Sequence, residues 1–202
     1  MFLATAFVAA MAMSPQLPLS CPITGDPIVK TTKSVEYNGA KFQFCCPGCD
    51  QQFIKNPAAA IAKSANVGKT VGVFLFDPIS KQAINPEKAM GGSSDFGGIR
   101  FFFESEADKK AFDASPEKFG ILPKSEVLYC AVSAEQVQGY AKASGYADYQ
   151  GVRYYFCCPS CDQPFAKNPA KYAAVPGAKV KSPSALPMPA AKSSHGHAQG
   201  GH

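Results

Sequence analysis

Eight cysteines carry most of the chemistry open to this 202-residue chain, and their spacing repeats. Cys21 is followed 24 positions later by Cys45, Cys46 and Cys49, and Cys130 is followed 27 positions later by Cys157, Cys158 and Cys161. Both clusters read C-C-x-x-C. Four thiolates can surround a tetrahedral soft ion such as zinc. Three leave a position open, which suits copper(I) or exchangeable zinc. The same residues spell C-P-x-C twice, Cys46-Pro47-Gly48-Cys49 and Cys158-Pro159-Ser160-Cys161. At a helix start that motif lowers a thiol pKa, as a thiol–disulfide enzyme requires. The chain's three histidines, His195, His197 and His202, lie in its last eight residues. A His-x-His can capture copper, nickel or zinc through neutral imidazole; the plainer reading is a solubilising tail. With no histidine before the tail, Cys-His and Ser-His catalysis are excluded there. Gly91-Gly92-Ser-Ser-Asp-Phe-Gly97-Gly98 lacks a phosphate-binding lysine and reads as a hairpin loop. Outside C-P-x-C redox chemistry, no enzyme is expected.

The segments that position these cysteines repeat as well. Lys41 to Ala60 reads KFQFCCPGCDQQFIKNPAAA and Arg153 to Tyr172 reads RYYFCCPSCDQPFAKNPAKY. A third copy without cysteines, Arg100 to Phe119, reads RFFFESEADKKAFDASPEKF. Each copy has a head, Cys21-Pro-Ile-Thr, Asp77-Pro-Ile-Ser or Cys130-Ala-Val-Ser, and a glycine before the aromatic run, Gly39, Gly98 or Gly151. Each unit therefore reads as a head turn, two short strands around a glycine turn, then a helix. Pro47 and Pro159 are expected near the helix's first turn, where a missing N–H does no harm. Asn56-Pro57 and Asn168-Pro169 should break it, with second helices over Ala58–Ser64 and Ala170–Ala174. Phe53 and Phe165, one turn past the last cysteine, should pack back on the aromatic strand. A unit of ~40–50 residues is near the lower limit for folding on its core alone, so a metal staple or packing between units would help. Asp77, Glu104 and Asp108 align with three cysteines. As carboxylates they can hold a harder cation, or they are polar surface residues of a unit that has no metal.

The pattern C-[PA]-[IV]-[TS] … F-C-C-P-x-C-D resembles the YHS and TRASH domains, small treble-clef-like zinc-ribbon relatives of heavy-metal trafficking, resistance and sensing proteins. The resemblance covers roughly residues 20–64, 75–120 and 128–173. It implies an α+β fold of tandem treble-clef-like units, with zinc or copper(I) bound once per cysteine-bearing unit. The TRASH signature, one cysteine followed at a distance by C-x3-C, falls on Cys21, Cys45 and Cys49, and on Cys130, Cys157 and Cys161. Many relatives carry a second head cysteine, where this chain has Thr24 and Ser133. Cys46 and Cys158 can supply a fourth ligand, although adjacent residues rarely aim at one ion; three-thiolate sites are equally consistent. The implied partners are metal ions and a metal-transport or resistance protein.

Phe2 to Met13 is an apolar run followed through Ala10-Met11-Ala12 by a small-residue cleavage pattern. A signal segment over 1–13 and export to a periplasmic or extracellular space are expected, with a cytoplasmic protein as the alternative. No apolar run approaches the ~20 residues of a membrane span. Lys+Arg 20 against Asp+Glu 15 gives +5, and the basic residues are scattered, so nothing calls for nucleic acid. Lys55, Lys63, Lys167 and Lys171 read as solvated helix faces. From Pro176 the Pro, Ala, Ser, Gly and Lys content predicts disorder over 176–202. Three functions fit: a metal buffer, carrier or sensor; a C-P-x-C oxidoreductase; and a metal-stapled module that binds another protein. The first accounts for the head cysteines, which a redox motif leaves without a role.

Overall fold

Three two-residue turns set the architecture. Asn38-Gly39, Gly97-Gly98 and Gln150-Gly151 have φ of 52 and 77°, 58 and 80°, and 48 and 77°. A paired left-handed turn matches the twist of the strands it joins. The first connects β1 (Lys33–Tyr37) to β2 (Ala40–Phe44), and a short β3 (Gly72–Phe74) follows. The second connects β4 (Ser93–Phe96) to β5 (Ile99–Phe102). After β6 (Ser125–Val127), β7 (Tyr129–Cys130) and β8 (Glu135–Gln136), the third connects β9 (Gly145–Tyr149) to β10 (Val152–Phe156). This computed structural model describes residues 17–188.

Two helices follow each hairpin: α1 (Cys49–Lys55) and α2 (Pro57–Asn66), α3 (Glu106–Ala114) and α4 (Pro116–Phe119), α5 (Asp162–Lys167) and α6 (Pro169–Ala173). The fold class is α+β, as expected. Asn56, Ser115 and Asn168 precede prolines and take ψ of 75, 62 and 70°, outside the helical region that the following ring disfavours. The asparagines then cap the next helix, Asn56 Oδ1 accepting from the Ala59 N–H and Asn168 Oδ1 from the Lys171 N–H, both at 3.2 Å. Pro47 and Pro159 stand just ahead of the helices. Gly48 at φ 84° cannot belong to α1, and Cys161 closes a turn onto the Cys158 carbonyl at 3.1 Å before α5 starts. The expected loop at Gly91–Gly98 is partly a strand, since Ser93–Phe96 pair with β5.

The phenylalanine of each first helix packs on its own hairpin. Phe53 lies 4.7 and 5.4 Å from Phe42 and Phe44. Phe112 lies 4.8 and 5.2 Å from Phe101 and Phe103, and Phe165 lies 5.0 and 5.3 Å from Tyr154 and Phe156. All three are buried.

The hairpins are not independent. β3 pairs with β2 on one side and β5 on the other, so the first two hairpins share a six-stranded sheet, β11-β1-β2-β3-β5-β4, with β11 at Leu186–Pro187. A three-stranded sheet, β6-β10-β9, holds the third hairpin, and β7 and β8 pair separately. Phe74 and Phe76 meet Tyr146 at 6.0 and 5.4 Å, and Phe76 meets Tyr155 at 5.7 Å, which links the sheets through one aromatic core. Nearby, the buried Tyr140 hydroxyl donates to both oxygens of the buried Glu126 carboxylate at 2.8 and 2.9 Å. Burial raises the Glu126 pKa against the lowering effect of that hydroxyl.

Disorder from Pro176 is corrected as far as residue 188. Lys181 and Glu126 exchange backbone hydrogen bonds at 2.8 and 3.0 Å, and Leu186–Pro187 add to the free edge of β1. An unpaired edge recruits polar backbone, and an edge strand tolerates proline. The expected signal segment over 1–13 and His195, His197 and His202 lie outside the described residues. No helix among the described residues is long and apolar enough to cross a membrane.

Candidate metal centre

The three heads are one loop built three times. The Cys21, Asp77 and Cys130 carbonyls each accept the N–H four residues on, from Gly25, Lys81 and Ala134, all at 2.8 Å. Those three donors have φ of 76, 63 and 60°, the left-handed step that turns the chain back. The head side chain is fully buried in every case.

Its surroundings explain why it is a cysteine or an aspartate. Asp77 Oδ1 accepts from the Ile79 and Ser80 N–H groups at 2.8 and 3.3 Å, and Oδ2 accepts from the Glu104 N–H at 2.8 Å. In the first unit, burial disfavours charge on Cys21, but the Thr24, Ile23 and Cys45 N–H groups and the Thr24 hydroxyl outweigh it and lower its pKa. In the third unit, burial likewise opposes ionisation of Cys130. The Ser133 hydroxyl and the N–H groups of Cys157, Ser133 and Val132 again lower it. These donors occupy the same positions as those around Asp77. The head is a socket of N–H donors that favours an acidic side chain, a cysteine twice and an aspartate once.

Asp77, Glu104 and Asp108 do not form a convergent group among the described residues. Asp77 spends its carboxylate on three N–H groups, and Asp108 accepts the Ser105 hydroxyl at 2.6 Å. Asp77 is not surface either: it ties the head to the start of the helical segment without a metal.

The C-C-x-x-C clusters come to the other heads from the strand end and helix start. Cys21, Cys46 and Cys49 place their sulfurs within 4.8 Å of one another, and so do Cys130, Cys157 and Cys161. Each group could hold a metal ion. Cys45 and Cys158 fall outside these groups. In the first unit the sulfurs that lie together are thus Cys21, Cys46 and Cys49, where the TRASH signature falls on Cys21, Cys45 and Cys49; in the third unit they are Cys130, Cys157 and Cys161. Cys46–Cys49 and Cys158–Cys161 are disulfides, with Cα separations of 5.7 and 5.6 Å, and Cys21, Cys45, Cys130 and Cys157 are free thiols. These groups could hold a metal only in the reduced form, since thiolates are the ligands.

The hydroxyls standing where relatives have a second head cysteine face the clusters. Thr24 Oγ1 lies 3.6 Å from Cys45 Sγ, and Ser133 Oγ lies 3.0 Å from Cys157 Sγ. Cys157 also donates to Glu135 Oε2 at 3.2 Å. Burial raises the Cys157 pKa, the Ser133 hydroxyl opposes that, and Glu135 and Cys130 add to it. Sequence reasoning missed Glu135; its only signal was its place five residues after the head, where the first unit has Asp26. No protein-family model, curated protein or solved structure matches this chain.

Proposed function

We propose that the protein binds a thiophilic metal ion, zinc or copper(I), at Cys21, Cys46 and Cys49 and again at Cys130, Cys157 and Cys161, and serves heavy-metal handling as a buffer, carrier or sensor. The observation that carries this reading is the convergence of three sulfurs, twice, from segments more than twenty residues apart in the chain. The lowered thiol pKa of both head cysteines supports it, because a thiol that ionises more easily is a readier ligand. A three-sulfur set is what a soft or borderline ion selects, and an open fourth position favours exchange over permanent structure. The YHS and TRASH resemblance points the same way. It extends the proposal to treble-clef-like units, an exported protein and a metal-transport or resistance partner.

The test is metal content. Protein purified under reducing conditions and equilibrated with zinc or copper(I) should carry about one ion for each three-sulfur group, two in all. A metal-free protein under those conditions would overturn the reading.

The Cys46–Cys49 and Cys158–Cys161 disulfides favour a second reading, a dithiol oxidoreductase. In its reductive half, one thiolate attacks a substrate disulfide and the second resolves the mixed disulfide, leaving the cystine and two substrate thiols. That activity would reduce insulin disulfides without any metal.

A further inference from the structure

Three thiolates leave one position of a tetrahedral ion unfilled, and the two sites differ in what stands beside that position. We propose that Glu135 is the fourth ligand of the Cys130, Cys157 and Cys161 site, making it a zinc-selective centre while the first site stays all-sulfur. The inference rests on the two-site metal reading above and gives its sites different chemistry.

The backbone puts Glu135 there. β7 and β8 pair antiparallel with Cys130 directly opposite Glu135, so the two side chains leave the same face of the ribbon as neighbours. Glu135 Oε2 lies 3.2 Å from Cys157 Sγ and 3.5 Å from Ser133 Oγ. One carboxylate oxygen therefore touches one ligand sulfur and sits across the ribbon from another. A tetrahedral zinc with ordinary Zn–S and Zn–O bonds holds a sulfur and an oxygen ~3.6 Å apart. That pair needs only a few tenths of an ångström of opening; the carboxylate does not lie within 4.8 Å of all three sulfurs, so it must also swing toward Cys130 and Cys161 as an ion replaces the thiol proton. Cys158, the other candidate for the fourth place, lies outside the three-sulfur group as Glu135 does, and it is joined to Cys161 in a disulfide. Its sulfur accepts from the Ser160 hydroxyl at 3.7 Å.

The first site has no equivalent. Its Cys21 N–H bonds the Asp26 carbonyl at 2.8 Å, so Asp26 is the counterpart of Glu135 across the loop. Its side chain is one methylene shorter, and no hydrogen bond joins its carboxylate to a cysteine sulfur among the described residues. The side-chain oxygen that hydrogen-bonds a sulfur of that cluster is the Thr24 hydroxyl, on Cys45, a neutral group. Carboxylate oxygen adds to the binding of zinc and contributes little to copper(I), which is satisfied by two or three thiolates. The third-unit site should then prefer zinc and the first-unit site copper(I).

The experiment uses the full reduced chain. Zinc and copper(I) affinities of each site are measured by chelator competition, with wild type, Glu135→Gln and the reciprocal Asp26→Glu. Glu135→Gln should weaken zinc at the third-unit site about tenfold or more, change copper(I) there by less than about threefold, and leave the first site untouched. Asp26→Glu, which lengthens the carboxylate arm, should strengthen zinc at the first site. Unchanged zinc affinity in Glu135→Gln, or equal losses for zinc and copper(I), would remove Glu135 as a selective ligand while leaving the metal sites standing. A wild type that takes up neither ion would instead sink the two-site reading itself.

Discussion

Replacing Cys21 by aspartate separates the two tasks of the head cysteine, holding its loop and holding a metal. The middle unit has already made this exchange. Asp77 meets the Ile79, Ser80 and Glu104 N–H groups at 2.8, 3.3 and 2.8 Å, and the matching donors around Cys21 are Ile23, Thr24 and Cys45. Cys21→Asp should keep these donors partnered and leave the metal-free fold near wild-type stability. Cys21→Ala strands them in a fully buried socket. Each stranded group costs about 1–3 kcal/mol, and 1 kcal/mol corresponds to about 2–4 °C in Tm for a chain of this size. The metal-free Tm of Cys21→Ala should therefore fall by at least about 2–4 °C, while that of Cys21→Asp moves much less. Both variants lose a thiolate, so both should drop from about two bound ions to one. The assays are thermal unfolding after chelation and metal analysis under reducing conditions. An aspartate variant as unstable as the alanine variant would refute the socket. One that still binds two ions with wild-type affinity would refute Cys21 as a ligand.

The two cysteine pairs should respond in opposite order: Cys46→Ser and Cys157→Ser should each cost their own site its ion, and Cys45→Ser and Cys158→Ser should not, as metal counting on the four variants will tell. Where the metal stabilises the fold, the binding free energy at risk is large, about 10–16 kcal/mol for structural zinc. Phe53→Ala and Phe165→Ala should each lose about 3–5 kcal/mol in denaturant unfolding, because both rings are buried against two aromatic neighbours; losses below 1 kcal/mol would contradict that packing. Burial raises the Glu126 pKa in the fold, so the native state binds this proton more tightly than the unfolded chain. Its stabilising contribution is complete below the unfolded carboxyl value, about 4.3, and is lost as pH rises through the higher folded value. Glu126→Gln, neutral throughout, should flatten that part of the pH–stability profile and raise the urea midpoint at pH 7; an unchanged slope would show that Glu126 does not titrate this way.

Much of the fold is local and was legible as pattern. A turn glycine before each aromatic run, an Asn-Pro or Ser-Pro after it and a phenylalanine one turn past the last cysteine each act within a few residues. Two parts of the site were legible as well: the C-C-x-x-C spacing, and a head residue whose type alternates between cysteine and aspartate. Longer-range outcomes were not. The strand at Gly72–Phe74 joins two hairpins into one sheet, and residues 181–188 dock on Glu126 and β1. Both depend on which edges the rest of the chain leaves open. Asp77 reads in the sequence as a surface carboxylate and is buried, because its three donors come from two separate segments. Which member of Cys45–Cys46 and of Cys157–Cys158 faces its head cysteine also has no local signature. Neighbouring side chains point different ways, and the choice follows from how strand end and helix start approach a loop more than twenty residues earlier. Sequence alone determined that sulfur was gathered in two places; tertiary structure decided which sulfurs, and which carboxylate stands beside them.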